Sequence, residues 1–160
     1  MNTNEPVGMT DAVSVEAIHK IQLAGAGQRL NVLGDNQTIK LSGKDTGDQF
    51  TIVENYNDPG VGVPMHIHEN EDEVFYILEG EMEFQTQGET TILGAGDMIF
   101  LPRRIPHGFR VVGTKKCRAA VTIIPSGIEH MFEKLAELPA GPPDFEKVAE
   151  ICDRYGISFV

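Results

Sequence analysis

Turn-forming residues recur along this chain roughly every eight to twelve residues: Gly34, Gly43, Gly47, "NDPGVG", Gly80, Gly88, "GAGD", "PRRIPHG", Gly113 and "PSG". Breaks at that spacing leave no room for helices of ordinary length. Short apolar runs punctuated so regularly point to an all-β sandwich or barrel. The runs themselves agree. "QFTIVENY", "EVFYILEGEMEF", "DMIFLP", "HGFRVVG" and "CRAAVTIIP" are rich in Val, Ile, Phe, Tyr and Thr, which suit a pleated surface. With 160 residues, the chain is long enough for one domain with a sizeable core.

The pattern changes at both ends. Residues 1–28 are expected to form a partly loose N-terminal segment; within them "SVEAIHKIQL" is ambiguous between a short helix and a strand. Residues 29–126 carry the β pattern, and residues 127–160 read as a helical tail. In "GIEHMFEKLAEL", Ile128, Met131, Phe132, Leu135 and Leu138 fall at helical spacing behind Ser126 as cap. A second short helix follows with Phe145, Val148, Ala149 and Cys152 as its apolar stripe. Such helices are expected to cover an open sheet face or a partner's surface.

Thirteen Lys and Arg stand against 24 Asp and Glu, a formal charge of −11. A nucleic-acid surface needs a concentrated basic face, so nucleic acid is not an expected partner, and neither is an anionic membrane. No apolar segment approaches membrane-spanning length. The N-terminus lacks a basic region followed by an apolar run. Cys117 and Cys152 lie far apart and outside any CxxC pattern, as expected for two reduced core thiols. The expected location is the cytoplasm.

The chemistry is concentrated in "MHIHENEDEVFYILEG". His66 and His68 are two residues apart, so on a strand both rings point to one face. Taken alone, the pair is more simply read as two histidines near a loop. The polar "ENED" ends that strand, and a new one starts at Glu73. There Glu73, Phe75 and Ile77 share one face, and Val74, Tyr76 and Leu78 the other. Both faces are apolar except at Glu73, which predicts a strand buried on both sides. A carboxylate at its mouth needs compensation, and a cation shared with His66 and His68 supplies it. Glu69, Glu71 and Asp72 are expected to stay solvated in the turn. His107, in "LPRRIPHGF", is aimed by Pro102 and Pro106, or else sits in an exposed turn. Three imidazoles and one carboxylate suit one divalent transition metal: Fe, Mn, Ni, Cu, Zn or Co. His19 and His130 lie outside this context and are expected at the surface.

These residues carry a resemblance. "GVGVPMHIHENEDEVFYILEG" resembles the first cupin motif, G-x5-HxH-x4-E-x6-G, through Gly60, His66, His68, Glu73 and Gly80. "GDMIFLPRRIPHGFRV" resembles the second, G-x5-PxG-x2-H-x3-N, through Gly96, Pro102 and His107, with Arg104 in the glycine position and Val111 in the asparagine position. Those two departures bear on the shape of the turn and the polarity of the pocket wall. Residues 30 to 160 look like small single-domain cupins of the quercetin 2,3-dioxygenase-like kind. The resemblance implies a double-stranded β-helix (jelly-roll) barrel of six to eight strands with short C-terminal helices. It also implies a homodimer, and a metal held by His66, His68, Glu73 and His107.

Four protein ligands leave one or two positions for water, dioxygen or a substrate oxygen. Phe75, Phe84, Met98 and Phe109 are candidate walls of an apolar substrate pocket, or plain core. The leading reading is a metal-dependent oxidoreductase, a dioxygenase acting on a small aromatic or enol-type oxygen compound, with Glu73 as a proton relay. One alternative is a cupin that binds a metal or small molecule without turnover; another is a metal-dependent isomerase or lyase. Arg103, Arg104 and Arg110 are expected to pair with the turn acids rather than greet an anionic substrate.

Overall fold

The computed structural model describes residues 19–160. The expectations for "MNTNEPVGMTDAV", and for the first half of "SVEAIHKIQL", lie outside the described residues. Residues 19–27 run irregularly, held where Lys40 Nζ donates to the carbonyls of Leu23 and Ala26 and where Lys20 pairs with Asp45.

The strands that follow are β1 (Gln28–Val32), β2 (Asp35–Leu41), β3 (Thr51–Asn57), β4 (Gly62–His68), β5 (Asp72–Glu79) and β6 (Glu81–Gln85). Then come β7 (Thr90–Gly94), β8 (Met98–Leu101), β9 (His107–Val112), β10 (Cys117–Ile124) and, at the C-terminus, β11 (Ile157–Phe159). They form two antiparallel sheets, β1-β2-β3-β10-β5-β8 and β11-β4-β9-β6-β7. The sheets face each other without closing into a true barrel. Three helices are short: α1 (Gly43–Thr46), α2 (Glu129–Ala136) and α3 (Phe145–Asp153).

Alternation builds the core. In β10, Cys117, Ala119, Val121 and Ile123 point inward, and β5 sets Phe75 and Ile77 beside them. Phe84 and Phe109 arrive from the other sheet, their rings each 5.2 Å from that of Phe75. Both cysteines are buried free thiols.

Four expectations need correction. Strand β5 is covered on one face only: Tyr76 is 40% exposed on the other, because among the described residues no layer packs over the outside of its sheet. The tail is not purely helical; β11 returns to pair with β4, placing Phe159 opposite His66 and Ile157 opposite His68. A three-residue strand has too little periodicity to announce itself. Ser126 does not cap α2. Instead the buried Glu129 carboxylate accepts from the backbone of Gly127 and Gly43 and from Thr51 Oγ1, tying α2 to α1 and β3. In α3, Val148 and Cys152 are buried, while Phe145 and Ala149 are exposed.

Gly80 alone links β5 to β6 and carries the chain from one sheet to the other. Its φ is +74°, and an added Cβ would lie 2.4 Å from the Lys116 carbonyl oxygen and 2.8 Å from Cys117 Cα. Neither neighbour is a side chain that can swing away. Gly80→Ala should therefore lower stability by about 3 kcal/mol, combining the left-handed backbone cost with a backbone overlap. A denaturant midpoint that stays where wild type has it would show that this crossing relaxes freely.

Candidate metal centre

The two motifs meet between the sheets. His66 and His68 stand on one face of β4, and His107 opens β9 directly opposite His66 in the register. Glu73 faces them from β5 in the other sheet, after a crossing made of Glu69, Asn70 and Glu71 alone. The four donor groups lie within 4.8 Å of one another, and all four residues are buried. His66 Nε2 is 3.0 Å from His68 Nε2; Glu73 Oε2 is 3.1 Å from His107 Nε2 and 3.6 Å from His68 Nε2. Ligands at about 2.1 Å from a metal stand about 3.0 Å apart at right angles and about 3.4 Å apart at tetrahedral angles, so these separations fit one shared ion.

The surroundings aim the rings. His66 Nδ1 donates to the Pro64 carbonyl at 2.7 Å and His107 Nδ1 to the Ile105 carbonyl at 3.1 Å. Each bond fixes the tautomer and turns the Nε2 lone pair inward, the usual second contact of a metal-ligating histidine. Behind His68, Glu71 Oε2 stands 3.5 Å from Nδ1, an ion-pair distance rather than a good hydrogen bond.

Electrostatics follow from three imidazoles crowding one carboxylate. Burial, then the neighbouring His68 and His107, push His66 down to about 4. Burial works against a charge on His68, but Glu73 and Glu71 outweigh it and raise this ring. Burial likewise opposes ionisation of Glu73, yet His68, His107 and His66 together hold it below the ordinary carboxylate value. The centre thus carries an ionised carboxylate among histidines, a donor set that a divalent cation satisfies.

The turn acids separate. Asp72 takes a bidentate pair from Arg103 at 2.8 and 3.1 Å, and Glu69 pairs with Arg104 at 2.8 Å. Arg110 turns to Glu83 instead. Such exposed pairs contribute roughly 0–1 kcal/mol each. Glu71 corrects the expectation of a solvated turn: it is only 6% exposed, folded under His68 because the crossing is too short to leave it outside. At the glycine position of the second motif, Arg104 itself adopts φ +65° and donates its N–H to the His68 carbonyl at 2.7 Å, so the turn keeps its shape. Val111 is buried in the core and does not line the cavity. His19 and His130 are exposed.

A cavity of about 600 Å³ adjoins His66, His68 and Glu73. Phe75 and Phe109 line it. Phe84 does not; it packs behind them, 5.2 and 6.3 Å from their rings. Met98 corrects its expectation outright, standing 62% exposed on the outer face of β8. The inward residues of that strand are Ile99 and Leu101, paired with Phe75 and Glu73.

The profile of the Cupin domain matches residues 57–124. Those residues form a cupin domain. The chain is 26% identical over 123 residues to quercetin 2,3-dioxygenase of Bacillus subtilis (strain 168), a match covering 77% of the chain and 36% of that protein. It is 35% identical over 66 residues to the oxalate-binding protein of Thermotoga maritima, covering 41% of the chain and 54% of that protein. The chain thus spans between 36% and 54% of the length of the curated relatives it matches. Among solved structures, the polyketide cyclase RemF from Streptomyces resistomycificus superposes with a TM-score of 0.59 at 28% identity, covering 68% of this chain and 81% of that one.

The cavity also touches residues without a signal in the motifs: Asp35, Gln37 and Asn55. The available signal was parity. Asp35, Gln37 and Ile39 share one face of β2, and Thr51, Val53, Asn55 and Asn57 share one face of β3, but each strand also carries polar groups on its other face.

Proposed function

We propose that this cupin holds one divalent first-row metal through His66, His68, Glu73 and His107. On this reading it acts as a dioxygenase-type oxidoreductase on a small aromatic or enol-type oxygen compound. The observation that carries the reading is a buried three-histidine, one-carboxylate group opening onto a largely apolar cavity. A redox-active metal bound there supplies activation of dioxygen or of a chelated enolate. The chain's own residues do the rest. Glu73, once loosened from the metal during turnover, is the group placed to relay a proton, with His107 Nε2 3.1 Å away. Phe75, Phe109 and Val121 shield the reacting atoms from water. The likeness to quercetin 2,3-dioxygenase supports the same class.

A homodimer belongs to this proposal. Tyr76, Met98 and Phe100 are exposed side by side on the outside of the six-stranded sheet, an apolar face that a second copy would cover.

Protein purified without chelator or nickel resin should contain iron, copper, nickel or manganese. It should take up O2 with enediol or flavonoid-like compounds. Zinc at full occupancy with no O2 uptake would replace the oxygenase by a lyase or isomerase. Metal-dependent ligand binding without turnover is the second reading, favoured by the likeness to the oxalate-binding protein. Ligand recovered unchanged after prolonged incubation with air would select it.

A further inference from the structure

The cavity has a second polar pole. Asp35, 5% exposed, follows the two-residue turn Leu33–Gly34 and points inward from β2. Three amide groups surround its carboxylate. Gln37 Nε2 donates at 2.8 Å, Asn55 Nδ2 at 3.1 Å to each oxygen, and Asn57 Nδ2 to Oδ1. Because the carboxylate claims the three NH2 groups, each amide must turn its carbonyl away. That of Asn57 accepts the Asn36 N–H at 2.8 Å. Gln37 Oε1 and Asn55 Oδ1 are buried and have no donor among the described residues. A buried acceptor left without a donor loses its hydration with nothing in return. Burial also pushes the Asp35 carboxyl above its ordinary value, against the bonds from Gln37, Asn57 and Asn55, and no cation offsets it among the contacts described. A fold that gathers one carboxylate and two free carbonyls at a cavity wall is short of hydrogen-bond donors there.

The register places this pole relative to the metal end. Gln37 lies opposite Asn55, and Asn55 opposite Ala119, which pairs with Ile77. Glu73 is four residues from Ile77 along β5 and two strands across from β3. At about 3.3 Å per residue and 4.8 Å per strand, Asn55 and Glu73 stand about 16 Å apart at Cα. Side chains on one sheet face stand roughly parallel, so their polar ends keep about that separation, and a ligand in contact with both spans on the order of 10 Å. Between them the wall is apolar: Val53, Phe75, Val121 and Ile123.

We propose that Asp35, Gln37 and Asn55 form a donor-recognising anchor that binds an O–H or N–H of the ligand at the end of the cavity opposite the metal. The ligand class is then an apolar-bodied compound with chelating oxygens at one end and a hydrogen-bond donor about 10 Å away. The chelating end rests on the function proposed above; the donor end rests on the Asp35 cluster alone.

Two probes test it: 4-arylcatechols whose outer ring bears either a para hydroxyl or a para methoxy group, titrated under argon into cobalt(II)-loaded protein. The hydroxyl compound should bind about tenfold more tightly, since a methoxy oxygen cannot donate. In Gln37→Met the ratio should fall to about one with the cobalt absorption bands of the unliganded protein unchanged. Equal affinities in wild type, or no binding of either probe, overturn the inference without any variant. So does a tenfold ratio that survives in both Gln37→Met and Asn55→Ala. A tenfold ratio in wild type with cobalt bands that neither probe perturbs keeps the anchor and sinks the chelating end.

Discussion

His66→Ala should bind its metal at least about 100-fold more weakly than wild type. Loss of a group that merely orients a ligand commonly costs 10- to 100-fold in affinity, and His66 is proposed as a ligand itself. Its removal also strips the cluster of the ring 3.0 Å from His68 Nε2, leaving three donors split between the two sheets. Equilibrium dialysis with metal quantification reads the effect directly. His130→Ala is the matched control, an exposed histidine paired only with Glu133, and should keep full occupancy. Undiminished metal in His66→Ala would move the site elsewhere.

Removing the metal should lower the melting temperature by about 8–16 °C at neutral pH. A ligand at 1,000 times its Kd stabilises the folded state by about 4 kcal/mol, and each kcal/mol moves a domain of this size by about 2–4 °C. The metal-free protein should then be acid-sensitive. His66 is held down to about 4 from an ordinary value of 6.5, so the unfolded chain takes up its proton first as pH falls. Its contribution, on the order of 3 kcal/mol, is present above pH 6.5 and lost as pH drops towards 4. Glu73, held below its ordinary 4.5, adds a loss of the same sign at still lower pH. His68, raised above 6.5, works the other way: its stabilisation is complete below pH 6.5 and fades as pH rises through the folded value. Denaturant midpoints of chelated protein at pH 6.5, 5.5 and 4 check the sum. A midpoint that holds or rises from pH 6.5 to 4 would contradict a neutral His66 in the fold.

The cluster of His66, His68, Glu73 and His107 was legible because its information is local. Two histidines separated by one residue share a strand face whatever the fold, and four intervening residues suffice for one crossing between sheets. Proline on either side of the His107 loop gave a similar local cue. Glu71 was misjudged for a reason of the same scale: its solvation depends on how tightly the crossing turns, and "ENED" reads alike in a wide loop and a narrow one. The arginine pairs were half legible. Arg103 and Arg104 neighbour the turn acids, whereas the Glu83 partner of Arg110 sits across a strand pairing.

The sequence by itself determined the β architecture, the residues that share a face on each strand, and the four groups able to converge on a cation, since these depend on periods of two and on turns of a few residues. Only the tertiary structure decided which face is inside. Parity placed Met98 and Ile99 on opposite faces of β8, but the pairing of Ile99 with Phe75 turned Met98 to solvent. It also brought β11 beside His66 and gathered Asp35, Gln37 and Asn55 from two strands at one cavity wall. The reason is physical: burial is set by what packs across the gap between sheets, and that partner comes from a distant part of the chain.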